Sequence, residues 1–223
     1  MALTFWLGIW VTPPDKVQGD LARLVYIHPA LATVALYFSF GTSTIASCLY
    51  LWKRTRSLTM DRIAQCAMEV SLIFIILTCI TGSIWGRPAW GVWWAWDARL
   101  TSTAILGVLA MGYLALRRAN DEVEIRARRS AVYTILCAVN VPIIHFSVQW
   151  WKTLHQGATV LGPNRTLLIH GSMAWTLLLS FVAFTLTYFW LLRLRYRLEV
   201  ARETTTKVSL DAALAQRRSE GAH

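Results

Sequence analysis

The sequence predicts an all-α, polytopic integral membrane protein with six nominal transmembrane helices, the first of them short. Three observations carry that prediction. Hydrophobic residues fill 56% of the 223 positions and charged residues only 15%, against about 25% charged in an average soluble domain. The mean hydropathy is +0.44. Long apolar runs recur along the chain, with cations gathered in short clusters between them. A disordered chain, a coiled coil and most soluble enzymes are excluded.

The elements follow in order. Met1–Val11 is apolar, but its eleven residues reach only about half of a ~30 Å hydrocarbon core. No Lys or Arg precedes it, so it reads as a clipped or short first helix and not as a signal peptide. Charge-poor runs then occur at Leu31–Trp52, Ile63–Ile84, Leu100–Leu116, Ala131–Val148 and Thr166–Leu192. Each is near or above the roughly 17–25 residues that span a bilayer as a helix. Lipid offers no partners to backbone N–H and C=O groups, so helices are the expected solution. Asn140 and Pro142 are expected to kink the fifth run, with Asn140 satisfying freed backbone groups. The segment Glu122–Arg129 reads as a charged turn of solvated helix, and the chain after Glu203 as a polar, mobile tail.

The connections set the sidedness. Lys53, Arg54, Arg56 and Arg62, then Arg117, Arg118, Arg126, Arg128 and Arg129, then seven cations from Arg193 to Arg218 make sixteen on one side. Lys16, Arg23, Arg87, Arg99, Lys152 and Arg165 make six on the other. The positive-inside rule places the first set in the cytoplasm. The segments around Asp15, Trp90 and Gln156 then face outward. The excess of 22 Lys and Arg over 12 Asp and Glu forms no continuous basic stripe, so nucleic acid is not an expected partner. Cys48, Cys66, Cys79 and Cys137 all lie in apolar runs, in no CxxC, CxxCH or zinc spacing.

The sharpest feature is the outward string WGRPAWGVWWAWDARLTS at Trp85–Ser102, where five of the twelve tryptophans fall within twelve residues. One reading is an aromatic belt at the headgroup level. A belt, however, has no need of Gly86, Pro88 and Gly91, which break helix and admit close approach. If the chain is helical from Trp90 onward, Trp90, Trp93, Trp94 and Asp97 share one face. That makes a flat shelf for a large planar apolar ligand, the reading preferred here. Asp97 either borders that ligand or caps the helix starting near Leu100. Arg87 and Arg99 either touch lipid phosphate or pair with a ligand carboxylate in the forked geometry that guanidinium favours.

Two histidines lie on the same outer face, His28 in Tyr26-Ile-His28-Pro29 and His155 in Trp150-Trp151-Lys152-Thr-Leu-His155. Neutral imidazole is a common iron ligand, including for haem. The alternative is hydrogen bonding at the interface. His145 and His170 are expected inside spans five and six in packing or hydrogen-bonding roles, and His223 is discounted as part of the tail. Glu69, one to two turns into the third span, is given a structural role, its carboxylate reaching either the interface or Arg62.

The string at Trp85–Ser102 resembles the tryptophan-rich WWD signature of haem-handling proteins in cytochrome c biogenesis. Together with RLVYIHPA at Arg23–Ala30 and NVPIIHFSVQWWKTLHQG at Asn140–Gly157, it is most similar to the CcmC family of the system I maturation pathway. The resemblance covers residues 5 to 192 and divides the chain into a haem-handling membrane domain, 1–192, and a basic cytoplasmic tail, 193–223. It implies six helices and haem b held transiently as cargo at the periplasmic face of a bacterial inner membrane. By position it assigns the axial iron ligands to His28 and His155. It implies a porphyrin seat of Trp85, Trp90, Trp93, Trp94 and Trp96, with Asp97, Arg87 and Arg99 beside it. The implied partners are the haem chaperone CcmE, the subunit CcmD, the ABC-type pair CcmA and CcmB, and membrane lipid. A nucleophile, a dithiol and a GxxxxGK[ST] loop are all missing from the string, so binding and hand-off is expected, not catalysis. The rival readings are a CcsA- or CcmF-like holocytochrome c synthase component and a haem-conducting transporter.

Overall fold

The computed structural model of the protein describes residues 1–14, 18–52, 56–155, 157 and 170–220. Lys16, Lys53, Arg54, Gln156, Arg165 and His223, which figure in the sidedness and tail assignments, lie outside the described residues. Among those described, the chain is all-α with no β-strand. Five helical segments are long and apolar enough to cross a membrane: Asp20–Trp52, Leu58–Trp90, Ala98–Arg118, Val123–Trp150 and Gly171–Arg218. The shorter apolar helix Ala2–Val11 precedes them. The protein is a multi-pass membrane protein.

Helix α1 (Ala2–Trp6) runs into a π-helical turn, Leu7–Val11. Arg23 donates to the carbonyls of Gly8 and Ile9 there and pairs with Asp20 at 2.8 Å. A 3₁₀ turn, Asp20–Tyr26, leads into α2 (His28–Thr33). Pro29 fits the first turn of α2, where its missing N–H removes no helical bond. A π-helical stretch, Val34–Ser39, then joins α2 to α3 (Phe40–Trp52). Carbonyls loosened by the wider turn find hydroxyls. Ser39 Oγ donates to Val34 O at 2.8 Å, and Ser71 Oγ donates across to Ala35 O at 3.1 Å.

Helix α4 (Leu58–Trp90) is the central post, packed against α2, α3, α5 and α8. Its neighbours are α5 (Ala98–Arg118), the pair α6 (Val123–Cys137) and α7 (Asn140–Trp150), and α8 (Gly171–Glu220). Fully buried Phe40, Met68, Leu106, Tyr113 and Tyr188 form the core. Small residues let backbones approach, as expected where lipid supplies no hydrophobic drive between helices. Ser43 Oγ reaches Ala64 O at 2.8 Å.

Three expectations are corrected here. The kink of the fifth run lies at Ala138–Val139, just before Pro142, but Asn140 Nδ2 donates across to Ser102 O of α5 at 2.8 Å and not within its own helix. Glu69 accepts from Arg195 Nε at 2.8 Å and from Gln65 at 3.2 Å, while Arg62 pairs with Glu203 at 2.8 Å. The tail after Glu203 is helical to Glu220, because α8 continues through it. That segment includes Ala212, Ala213, Leu214, Ala215, Gln216, Arg217 and Arg218, a run of strong helix formers.

Candidate haem-handling site

The segments singled out by the sequence meet at one end of the bundle: the start of α2, the end of α4, the start of α5 and the turn after α7. The opposite end holds Arg62, Arg117 and the charged extension of α8.

Local chemistry explains how α4 delivers its tryptophans. The helix passes through Pro88 and stops at Trp90, because Gly91 takes φ 78°, the left-handed cap conformation. Gly91 N–H donates to Arg87 O at 3.0 Å, and Arg87 Nη1 donates to Gly91 O. Residues 91–97 are therefore non-helical. The single helical face of Trp90, Trp93, Trp94 and Asp97 is replaced by a helix end followed by an extended strap. Neither Gly86 nor Pro88 breaks the helix. A Cβ on Gly86 would stand 2.9 Å from Trp90 Cε3, so its lack of a side chain lets the indole fold back.

Four rings converge. His28 and His155 have ring centres 6.3 Å apart with planes inclined 38°. Trp85 meets His28 edge-on at 6.0 Å, and Trp90 lies 6.2 Å from His155. Trp85 is held by its indole N–H, which donates to Gln18 Oε1 at 2.8 Å. His28 Nδ1 lies 3.1 Å from Thr81 Oγ1. Trp94 and Trp96 form an edge-to-face pair at 5.8 Å further along the strap, and Trp96 is 81% exposed. Trp93 is exposed too. The Trp94 indole N–H is buried with no hydrogen-bond partner among the described residues. Such a donor costs about 1–3 kcal/mol until something accepts from it.

Asp97 does two jobs. Its Oδ1 accepts from Leu100 N at 2.8 Å, the capping role read from the sequence. Its Oδ2 accepts from Leu154 N at 3.0 Å, one residue before His155. The carboxylate thus ties the tryptophan strap to the turn that carries the histidine, a link the sequence does not advertise.

Arg99 spends Nη2 on His145 O at 2.9 Å and Nε on Ser147 Oγ at 3.2 Å, fastening α5 to α7. His145 sits at an exposed position of α7, with Nδ1 2.5 Å from the Tyr37 hydroxyl. His170 is not inside a span. It is exposed and immediately precedes α8. Among the described residues no three His, Cys, Asp or Glu side chains gather into a metal cage. Two imidazoles suffice only for a metal that brings most of its own ligands, as a porphyrin iron does.

A profile of the family described as Heme exporter protein C matches residues 1–211. Among curated proteins, the Heme exporter protein C of Haemophilus influenzae is 37% identical over 199 residues, 88% of this chain and 78% of the relative. That of Bradyrhizobium diazoefficiens is 38% identical over 201 residues, 90% of this chain and 74% of the relative. A putative cytochrome c biosynthesis ccmC-like mitochondrial protein of Marchantia polymorpha is 34% identical over 183 residues, covering 82% of this chain and 75% of its own.

Proposed function

The chain belongs to the haem exporter protein C family, and from that premise we propose that it binds haem between His28 and His155 and hands it on. Its place in haem export and cytochrome c maturation follows from the family. The finer steps are our reading. The converging end of the bundle is periplasmic, in a bacterial inner membrane. The cargo is haem b, held transiently, and the recipient is the chaperone CcmE, with CcmD and the ABC-type pair CcmA and CcmB as companions. The residues bind and orient cargo and make or break no covalent bond.

One observation carries the reading: the 6.3 Å between the two imidazole centres. With metal–imidazole bonds of about 2 Å, two rings on opposite sides of one iron have centres about 6 Å apart. Trp85 and Trp90 flank that gap, and the strap from Trp93 to Trp96 extends the apolar surface. The Trp94 N–H, buried without a partner among the described residues, suits an anionic oxygen, such as a porphyrin carboxylate. Arg87 and Arg99 add positive charge nearby, although both already serve the scaffold. Exposure of Trp93 and Trp96 leaves an open edge for a recipient.

Titrating the detergent-purified protein with hemin tests this. The expected product is a six-coordinate low-spin visible spectrum that is lost or shifted in both His28→Ala and His155→Ala. An identical spectrum in both variants overturns the ligand assignment.

A further inference from the structure

His28 meets α4 at Thr78, Thr81, Gly82 and Trp85, and the consecutive pair Thr81 and Gly82 shapes how its ring sits. Thr81 Oγ1 lies 3.1 Å from His28 Nδ1, 2.8 Å from Leu77 O and 3.2 Å from Thr78 O. A hydroxyl owns one proton, and a carbonyl oxygen only accepts. The 2.8 Å contact therefore takes the proton, since two bare oxygens at that distance repel. Thr81 is left facing the imidazole with a lone pair, so Nδ1 must carry the hydrogen and donate it. A neutral imidazole has one N–H, and Nε2 keeps its lone pair.

At the next position the fit is steric. A Cβ on Gly82 would stand 2.9 Å from His28 Cε1, closer than real Cβ atoms come to a neighbour. Cε1 lies between the two ring nitrogens, so any side chain at 82 turns the ring away from Thr81. One residue selects the tautomer and the next clears the space that lets the ring reach it.

We propose that Thr81 and Gly82 of α4 are positioning residues for His28, fixing the tautomer that presents Nε2 to iron and the angle at which the ring presents it. The proposal rests on His28 being an iron ligand. Removing an outer partner of a metal-bound histidine commonly weakens binding about 10–100-fold, and losing the Nδ1–H···O bond also makes the imidazole a weaker donor to ferric iron.

The test uses the full chain in detergent, with hemin as probe and Thr81→Ser, Thr81→Val and Gly82→Ala as variants. Hemin affinity, the ferric electron paramagnetic resonance spectrum and the midpoint potential are read for each. Thr81→Ser should match the unmodified protein. Thr81→Val, nearly isosteric, should bind hemin about 10–100-fold more weakly, with altered low-spin g-values and a raised potential. Gly82→Ala should move the same three readouts and stands in if Thr81→Val does not fold. Lowered thermal stability with unchanged g-values and potential in the bound fraction means a packing role only and overturns the proposal. So does a Thr81→Ser variant that behaves like Thr81→Val. If the unmodified spectrum is indifferent to His28→Ala, it is the ligand reading that falls.

Discussion

At the scale of single residues, the side chains that shape the site act mostly on one another. Asp97 is the clearest case, with one oxygen on the start of α5 and the other on the backbone beside His155. Losing a cap costs about 1 kcal/mol and losing a charge-assisted hydrogen bond about 1.5–3 kcal/mol. Asp97→Ala is therefore expected to weaken hemin binding by about tenfold, some 1.4 kcal/mol, while the bound fraction keeps its six-coordinate spectrum. Loss of that spectrum would mean that Asp97 contacts the cargo itself. The sequence made Asp97 readable as a cap, because an Asp three residues before a helical N–H is a local pattern. Its bond to Leu154 was not readable, since it joins segments that only folding brings together. The same holds for Thr81 and Gly82, which look like ordinary span residues until His28 is seen against them.

At the scale of elements, apolar length made the spans legible, and Pro142 made the break between α6 and α7 legible. The end of α4 was legible only in part: Gly86 and Pro88, which read as helix breakers, lie inside the helix, whereas Gly91 reads the same way and is one, with φ 78°. Residues with a Cβ pay roughly 1–2 kcal/mol in that conformation, so Gly91→Ala should lower the thermal unfolding midpoint by a few degrees and reorient the strap. Quenching of tryptophan fluorescence by bound hemin reads that reorientation. At the other side of the same turn, Gly86→Val should displace Trp90 from His155 and weaken hemin binding severalfold. Unchanged affinity would show that the Trp90–His155 contact is dispensable. The π-helical stretch between α2 and α3 was invisible: Ser39 bonds Val34 O from within the stretch, but the hydroxyl that reaches Ala35 O from Ser71 comes from across the fold and leaves no local signature.

For the whole molecule, the two ends of the bundle divide the labour. Arg117 and Asp61, each with a side chain only 6% exposed, are bound at 2.5 and 2.9 Å at the end opposite the histidines. Breaking one partner of such a buried pair costs about 3–5 kcal/mol. Asp61→Ala should therefore lower the unfolding midpoint markedly while the folded fraction binds hemin within twofold of the original. A parallel loss of affinity would show that the ends are coupled. Charge clusters predicted which connections share an end, but not which charges pair, because Arg62–Glu203 and Arg195–Glu69 depend on how α8 lies against α4. One consequence follows from where the two imidazoles come from. They belong to opposite halves of the sequence, so the unfolded chain has nothing resembling their arrangement, and on the proposed reading only the finished structure takes the cargo up. By mass action, hemin at a hundred times its dissociation constant then adds about 2.7 kcal/mol to the native state. On that reading, loading would double as a certificate of correct assembly, and each delivery would return the protein to its less durable form.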